Sequence, residues 1–318
     1  MRWKSNKRGE KMGHNANLIS IDALTEAELR ALITRGQAFV DGAEAMALPR
    51  HACVCTLFFE PSTRTKLSFQ RAAQRLAVDL LSFDVATSST SKGETALDTM
   101  RNIEAMGVDV FVVRHKEDGT VDALAAGAMP TTRFVNAGDG RSNHPTQALL
   151  DMLTLQQSKG DDFSRLRVAI VGDVKHSRVA RSDYQALSLL GVEDIRICGP
   201  QALLPDPAEM PRATFVDRLD EALSGVDVVM TLRLQRERME AGLIDSLEGY
   251  HAAFGITQAR MTGAKADAIV MHPGPMNRGV EIEDAVADGA QSRILQQVRN
   301  GVFARAAVLE RALSRAHE

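Results

Sequence analysis

Cysteine is scarce in this chain: Cys53, Cys55 and Cys198 are the only three. Two of them alternate along one apolar segment, so no disulfide framework is expected, and all three read as reduced core thiols of a cytoplasmic protein. Metal-ligand spacing is missing too. The eight histidines are scattered, without a His-x-x-x-His pair, and no metal is expected. Neither sign of charge dominates. Lys plus Arg number 38 against 41 Asp plus Glu, a net charge of −3, so nucleic acid is not an expected partner. No apolar run approaches the ~18 residues that span a bilayer, so no membrane association is expected. Residues 1–14 are polar and basic with no apolar segment behind them. They read as a flexible basic arm, or as extra sequence ahead of a start at Met12, rather than as a secretory signal. Three motifs are absent as well. Without Gly-x-Gly-x-x-Gly, Val171-Gly172-Asp173 is only a weak dinucleotide signal. Without a P-loop a nucleotide kinase is disfavoured, and without a Gly-x-Ser-x-Gly elbow so is a serine hydrolase. No cofactor is expected.

What remains is an ordinary globular composition, 44% hydrophobic and 25% charged, in a length of 318 residues that holds two domains. Strand and helix patterns alternate. A helix is expected over 24–40, then strand 53–59, helix 63–77 with Leu67, Phe69, Ala73 and Leu76 on one face, and strand 79–85. After a polar loop at 86–94 come helix 95–106, strand 109–115, helix 120–128 and strand 131–137. A turn at 138–143 and a helix over 144–157 follow, with a polar break at 158–162. Further strands are expected at 166–172, 194–199, 213–217, 226–231 and 267–271, and a last helix over about 301–315. This alternation predicts an α/β protein with two Rossmann-like domains, each a parallel sheet flanked by helices. Ligands of such sheets bind at the carboxyl ends of the strands.

The polar clusters fall at those strand ends. Ser62-Thr63-Arg64-Thr65 stands where a strand ends and a helix begins, offering unpaired amides, hydroxyls and a guanidinium to a tetrahedral anion, most simply a phosphate. The competing reading is an ordinary helix cap. Arg114-His115, His144-Pro145-Thr146-Gln147, Gly172–Arg178, Arg233–Arg238 and His272-Pro273-Gly274-Pro275 close or follow other strands. Taken singly, His144 reads as a cap, Arg114, Arg178 and Arg233 as solvated charges, and the two prolines as a turn. Together they make a site rich in cations and hydrogen-bonding groups, with no obvious nucleophile. Such a site positions charged substrates and stabilises developing charge.

Phe59-Glu60-Pro61-Ser62-Thr63-Arg64-Thr65, Lys92-Gly93-Glu94-Thr95, His144-Pro145-Thr146-Gln147, Arg233-Leu234-Gln235 and His272-Pro273-Gly274-Pro275 occur together and in this order. Over residues 15–315 the chain thereby resembles the aspartate/ornithine carbamoyltransferase superfamily, and within it the aspartate-specific catalytic chains. The resemblance implies transfer of a carbamoyl group from carbamoyl phosphate to L-aspartate, the committed step of pyrimidine (UMP) synthesis. It implies that Ser62, Thr63, Arg64, Thr65 and Arg114 bind the phosphate, and that Thr65, Arg114 and His144 meet the carbonyl oxygen. Gln147 and the backbone carbonyls of Gly274 and Pro275 would hold the carbamoyl amide, with a cis bond before Pro275. Arg178, Arg233 and Gln235 would bind aspartate. Ser88 and Lys92 would be supplied to the neighbouring subunit's site, Lys92 touching both substrates, which makes a homotrimer the minimal active unit.

The same resemblance divides the chain into a carbamoyl-phosphate-binding domain at 15–157, joined by the C-terminal helix 296–318, and an aspartate-binding domain at 158–295. Domain closure is expected to pair Glu60 with Arg178 and Arg238. The alternative of ornithine or another amine is disfavoured: Arg178 and Arg233 suit an amino acid with two carboxylates, and the ornithine-type Ser-Met-Gly loop and cysteine are lacking. A silent scaffold member is disfavoured by the intact set of cationic residues. Larger assemblies, with a zinc-containing regulatory chain or a dihydroorotase-like partner, are left open.

Overall fold

The computed structural model describes residues 16–49, 51–84, 93–234, 242–314 and 316. The alternation of the sequence appears as two parallel sheets. The first has the order β2-β1-β3-β4, with β1 Cys53–Phe58, β2 Asp79–Asp84, β3 Val110–His115 and β4 Arg133–Asp139. The second has the order β7-β6-β5-β8-β9, with β5 Arg167–Val171, β6 Asp194–Cys198, β7 Ala213–Phe215, β8 Val228–Thr231 and β9 Ile269–Met271. The fold is the predicted α/β architecture. In each sheet the strand order reverses once, between β1 and β3 and between β5 and β8, and crevices open at such reversals.

The helices follow from local signals. α1 (Glu26–Val40) starts with a capping box in which Thr25 and Glu28 satisfy each other's backbone N–H. α2 (Thr63–Arg75) connects β1 to β2, α3 (Ala96–Glu104) precedes β3, and α4 (Thr120–Ala126) connects β3 to β4. α5 (Pro145–Lys159) opens on a proline, whose missing N–H costs nothing in a first turn, and ends at Gly160 with φ +88°. In the second half come α6 (Arg178–Leu189), α7 (Leu219–Leu223), α8 (Leu247–Phe254), α9 (Gln258–Met261), α10 (Asp284–Ala287) and α11 (Ile294–Ser314).

One apolar core runs through both sheets: Val54, Val110 and Val135 of the first join Val168, Ile195 and Val228 of the second. The bridge is α5, buried continuously from Pro145 to Leu155 and packed against α1, α6 and α11. Alternate residues face the other way. Cys55, Leu57, Phe111 and Phe134 fill a second cluster behind the first sheet, and Ala169, Val171, Val229 and Val270 a third behind the second sheet.

Three expectations are corrected. Leu67 is 58% exposed, while Thr65, Ser68, Phe69, Ala72 and Ala73 form the buried stripe of α2. At 100° per residue Leu67 lies on the side opposite Leu76, so it cannot share that face. β4 extends through Gly138 to Asp139, where a turn was expected, because the positive φ of Gly138 (+128°) is absorbed as a bulge: the pairing with β3 jumps from Val113–Asn136 to His115–Asp139 and then resumes. The last helix starts at Ile294 and not near 301. Its first turns carry Gln297 and Asn300, which are buried by bonding α5: Gln297 donates to Asp151 at 2.7 Å and Asn300 to Thr154 at 2.9 Å. Polar residues that bury through partners mask an apolar stripe. The basic arm at 1–14 and the loop bearing Ser88 and Lys92 lie outside the described residues, as do Gln235 and Arg238.

Candidate active site

A cavity of about 550 Å³ lies where the carboxyl ends of the two sheets meet. Ser62, Thr63, Arg64, Thr65, Arg114, His144, Gln147, Arg178, Arg233, Gly274 and Pro275 all line it. Of the predicted site residues, only Ser88, Lys92 and Gln235 are not placed, being outside the described residues.

One wall is the start of α2. Ser62 occupies the N-cap with extended backbone (φ −159°), yet its side chain makes no capping bond. The hydroxyl is therefore not engaged as an ordinary cap, and the first-turn amides stay open toward the cavity. The same holds for His144 at the N-cap of α5, whose ring makes no cap bond. Its backbone N–H donates to Ser182 Oγ at 2.9 Å, which ties the start of α5 to α6.

Two guanidiniums converge on Glu60. Arg114, at the end of β3, pairs with Glu60 Oε1 at 2.7 Å and donates to the carbonyl of Ala137 at 3.0 Å. Arg178, at the start of α6, pairs with the same oxygen and donates to the carbonyl of Gly140 at 3.1 Å. The expected Glu60–Arg178 pairing across the cleft is present, and Arg114 joins it. Gly138 makes room for both guanidiniums: a Cβ there would stand 2.7 Å from Arg114 Nη1 and 3.0 Å from Arg178 Cζ.

The segment after β9 forms the roof. The Gly274–Pro275 bond is cis, as expected. His272 Nδ1 accepts from Gly274 N–H at 2.8 Å, so the ring proton sits on Nε2, facing Glu281 at 3.1 Å. Gly274 has φ +66°, and a Cβ there would lie 3.1 Å from Arg64 Cζ, so the backbone closes directly over that guanidinium.

The electrostatics are those of an anion trap. Burial, and then Arg178, pull the Arg114 pKa down to about 10, against the opposing pull of Glu60. The guanidinium stays charged at neutral pH. Arg64, open to the cavity, is lowered by partial enclosure and by Arg233. His144 is pushed well below the usual imidazole range, by burial first and then by Arg114, Arg178 and Arg305. It is neutral, a donor that adds no charge. Groups like these, crowded together without a matching number of carboxylates, favour a multiply charged ligand. Among the described residues no His, Cys, Asp and Glu cluster is suited to a metal ion.

Several cavity residues carried no role in the sequence reading. Arg305 of α11 is 3% exposed and donates to Ser68 Oγ at 2.8 Å. Its only signal was a charge in the otherwise apolar run Ala304 to Leu309. Gln297 holds the backbone N–H of His272 at 3.0 Å. Asp173 and His176 pair at 2.7 Å after β5, and both lay within a stretch already singled out.

Family models agree with this geometry. Residues 16–157 match the aspartate/ornithine carbamoyltransferase carbamoyl-P binding domain, and residues 164–312 match the Asp/Orn binding domain. An aspartate carbamoyltransferase catalytic subunit of Stenotrophomonas maltophilia (strain K279a) is 58% identical over 306 residues, covering 95% of this chain and 97% of that protein. One from Xanthomonas campestris pv. campestris (strain B100) is 57% identical over 305 residues, with coverage of 95% and 97%. Among solved structures, Trypanosoma cruzi aspartate transcarbamoylase in complex with carbamoyl phosphate superposes with a TM-score of 0.82 at 32% identity, covering 92% of this chain and 94% of that one. Ornithine carbamoyltransferase from Thermus thermophilus superposes with a TM-score of 0.83 at 25% identity, covering 94% and 99%.

Proposed function

The chain belongs to the aspartate/ornithine carbamoyltransferase family, and on that premise we propose that it transfers the carbamoyl group of carbamoyl phosphate to the amine of L-aspartate, giving N-carbamoyl-L-aspartate and phosphate. The observation that carries this reading is the convergence of Arg64, Arg114, Arg178 and Arg233 with neutral His144 in one cavity at both sheet reversals. The aspartate-specific names of relatives at 57–58% identity support the choice of acceptor.

The chemistry follows from what the groups do. Ser62, Thr63, Arg64 and Thr65 surround the phosphate at the positive end of α2. The neutral aspartate amine attacks the carbonyl carbon and negative charge grows on the oxygen. Thr65, Arg114 and His144 stabilise it, and loss of one such donor costs about 2.7–4 kcal/mol of barrier. Gln147 and the carbonyls of Gly274 and Pro275 hold the carbamoyl amide. The C–O bond to phosphate then breaks, the departing phosphate takes the proton that the attacking amine loses, and the cations stabilise the leaving anion. Glu60, held by two guanidiniums, keeps Arg114 and Arg178 in place and is not free to act as a base. Arg178 and Arg233, with Gln235, grip the two aspartate carboxylates.

Residues 15–157 with the C-terminal helix serve as the carbamoyl-phosphate domain and 158–295 as the aspartate domain. Ser88 and Lys92 act in a neighbouring subunit's site within a cytoplasmic homotrimer, and the reaction commits carbamoyl phosphate to pyrimidine synthesis. No helix of the described residues is long and apolar enough to cross a membrane. Incubation of the purified protein with carbamoyl phosphate and either aspartate or ornithine tests the reading. N-carbamoyl-aspartate should form, and Arg114→Ala should lower kcat/KM by about 100-fold or more. Faster carbamoylation of ornithine, or none of aspartate, would refute it.

A further inference from the structure

Behind the cavity floor, two carboxyl groups meet in the core. Asp151 of α5 is 1% exposed and Asp183 of α6 is 2% exposed, and the two are in side-chain hydrogen-bond contact. Two facing carboxylates would repel, so one carries a proton. The surroundings say which. Asp151 accepts from Gln297 Nε2 at 2.7 Å and from Gln147 Nε2 at 3.2 Å to each of its oxygens. Asp183 Oδ1 is buried with no donor to it. The anion belongs where the donors are.

The consequence reaches the substrate. A carboxylate only accepts, so the Gln147 amide must turn its nitrogen toward Asp151. Its oxygen then turns the other way, and Gln147 lines the cavity. A carbonyl oxygen pointing there accepts from the N–H groups of a carbamoyl amide; a flipped amide would face them with donors. We propose that Asp151 and Asp183 hold one proton between them, on Asp183, and that the anion left on Asp151 fixes the Gln147 carboxamide in the orientation that receives the carbamoyl group. Both acids are positioning residues, and the proposal rests on the reading of Gln147 as the carbamoyl-amide holder.

The charged groups facing the pair are few. Arg305 of α11 faces Asp151 and favours its ionised form. Arg305 also lies close enough to Arg114 of β3 and to His144 at the α5 N-terminus to couple to both. Burial raises both carboxyls, and the Asp151 charge raises Asp183 further. An Asp raised in the fold binds its proton more tightly there than in the unfolded chain. Its burdens on stability are therefore absent below the ordinary carboxylate range and grow as pH rises above it.

The test uses the intact enzyme and two readouts. In carbamoyl-phosphate saturation curves with aspartate, Asp183→Leu should raise the half-saturating concentration about tenfold, and Asp151→Asn likewise. Asp183→Asn should rescue it, since a neutral carboxamide donates the same bond. An Asn variant as impaired as the Leu variant would overturn the proposal, as would Asp151→Asn with unchanged carbamoyl-phosphate dependence. In thermal melts, the advantage of Asp183→Asn over the unmodified protein should grow between about pH 4.5 and about pH 8. A difference that stays constant over that span would overturn the shared proton. The melts need no turnover, so an enzyme inactive on aspartate would sink the functional reading alone.

Discussion

At the scale of single residues, the site sets the Glu60 carboxylate against the guanidiniums of Arg114 and Arg178. Removing Glu60 leaves Arg114 and Arg178 with an uncompensated repulsion, and losing one partner of such an enclosed pair costs about 2–5 kcal/mol. Glu60→Ala should therefore raise the aspartate concentration for half-maximal rate and lower kcat/KM by 10-fold or more at about 1.4 kcal/mol per decade; an unchanged aspartate curve would count against the bridging role. Gly138→Ala tests the same pair from below. Its Cβ would collide with both guanidiniums, so saturation curves for both substrates should shift to higher concentration. His144 gives a pH signature. Its depressed pKa means the fold binds its proton less well than the unfolded chain, so stability falls as pH drops below the ordinary imidazole range and is intact above it. Its ring resonances should show no titration near pH 6.5 (about the free value), and a normal titration there would contradict its burial among cations. The cationic residues were legible in the sequence because they stand at strand ends, where an α/β sheet exposes its ligand groups. Asp151, Asp183 and Arg305 were not, because they sit inside helices, where a charged residue reads as a solvent face unless its partners on other helices are known.

At the scale of elements, α11 and α5 show where periodicity fails. Strands β1 and β3 were readable as short apolar runs closed by Glu60 and Arg114. α5 is buried on every side between Pro145 and Leu155, so only its proline and length marked it as a helix. α11 returns to the first sheet's side and packs on α1, α2 and α5. Its far end is held by Glu310, 2% exposed, which accepts from Arg35 Nε at 2.6 Å, Arg35 Nη2 at 2.7 Å and Met46 N–H at 2.7 Å. Glu310→Ala would leave the partly exposed Arg35 guanidinium and the Met46 N–H without their shared acceptor, and should cost about 1–3 kcal/mol in denaturant unfolding. A loss below about 1 kcal/mol, the range of surface ion pairs, would show that the helix is anchored by its apolar face alone.

At the scale of the whole molecule, two sheets with reversed strand order place their crevices face to face, and a continuous core through α5 holds them together. Neither that juxtaposition nor the depth of the cavity was readable from element order, which gives the sheets but not their mutual orientation. If Lys92 is supplied from a neighbouring subunit, trimers mixed from Lys92→Ala and Arg64→Ala chains should regain activity that neither parent has, since some sites would then be built from two intact contributors; inactive hybrids would place Lys92 in its own chain's site. The claim on which the rest depends is that this cavity of convergent cations takes up carbamoyl phosphate. Calorimetric titration of the purified protein with carbamoyl phosphate measures that directly. Saturable uptake that is abolished by Arg64→Ala is predicted, and absent uptake, or uptake indifferent to Arg64, would contradict the account.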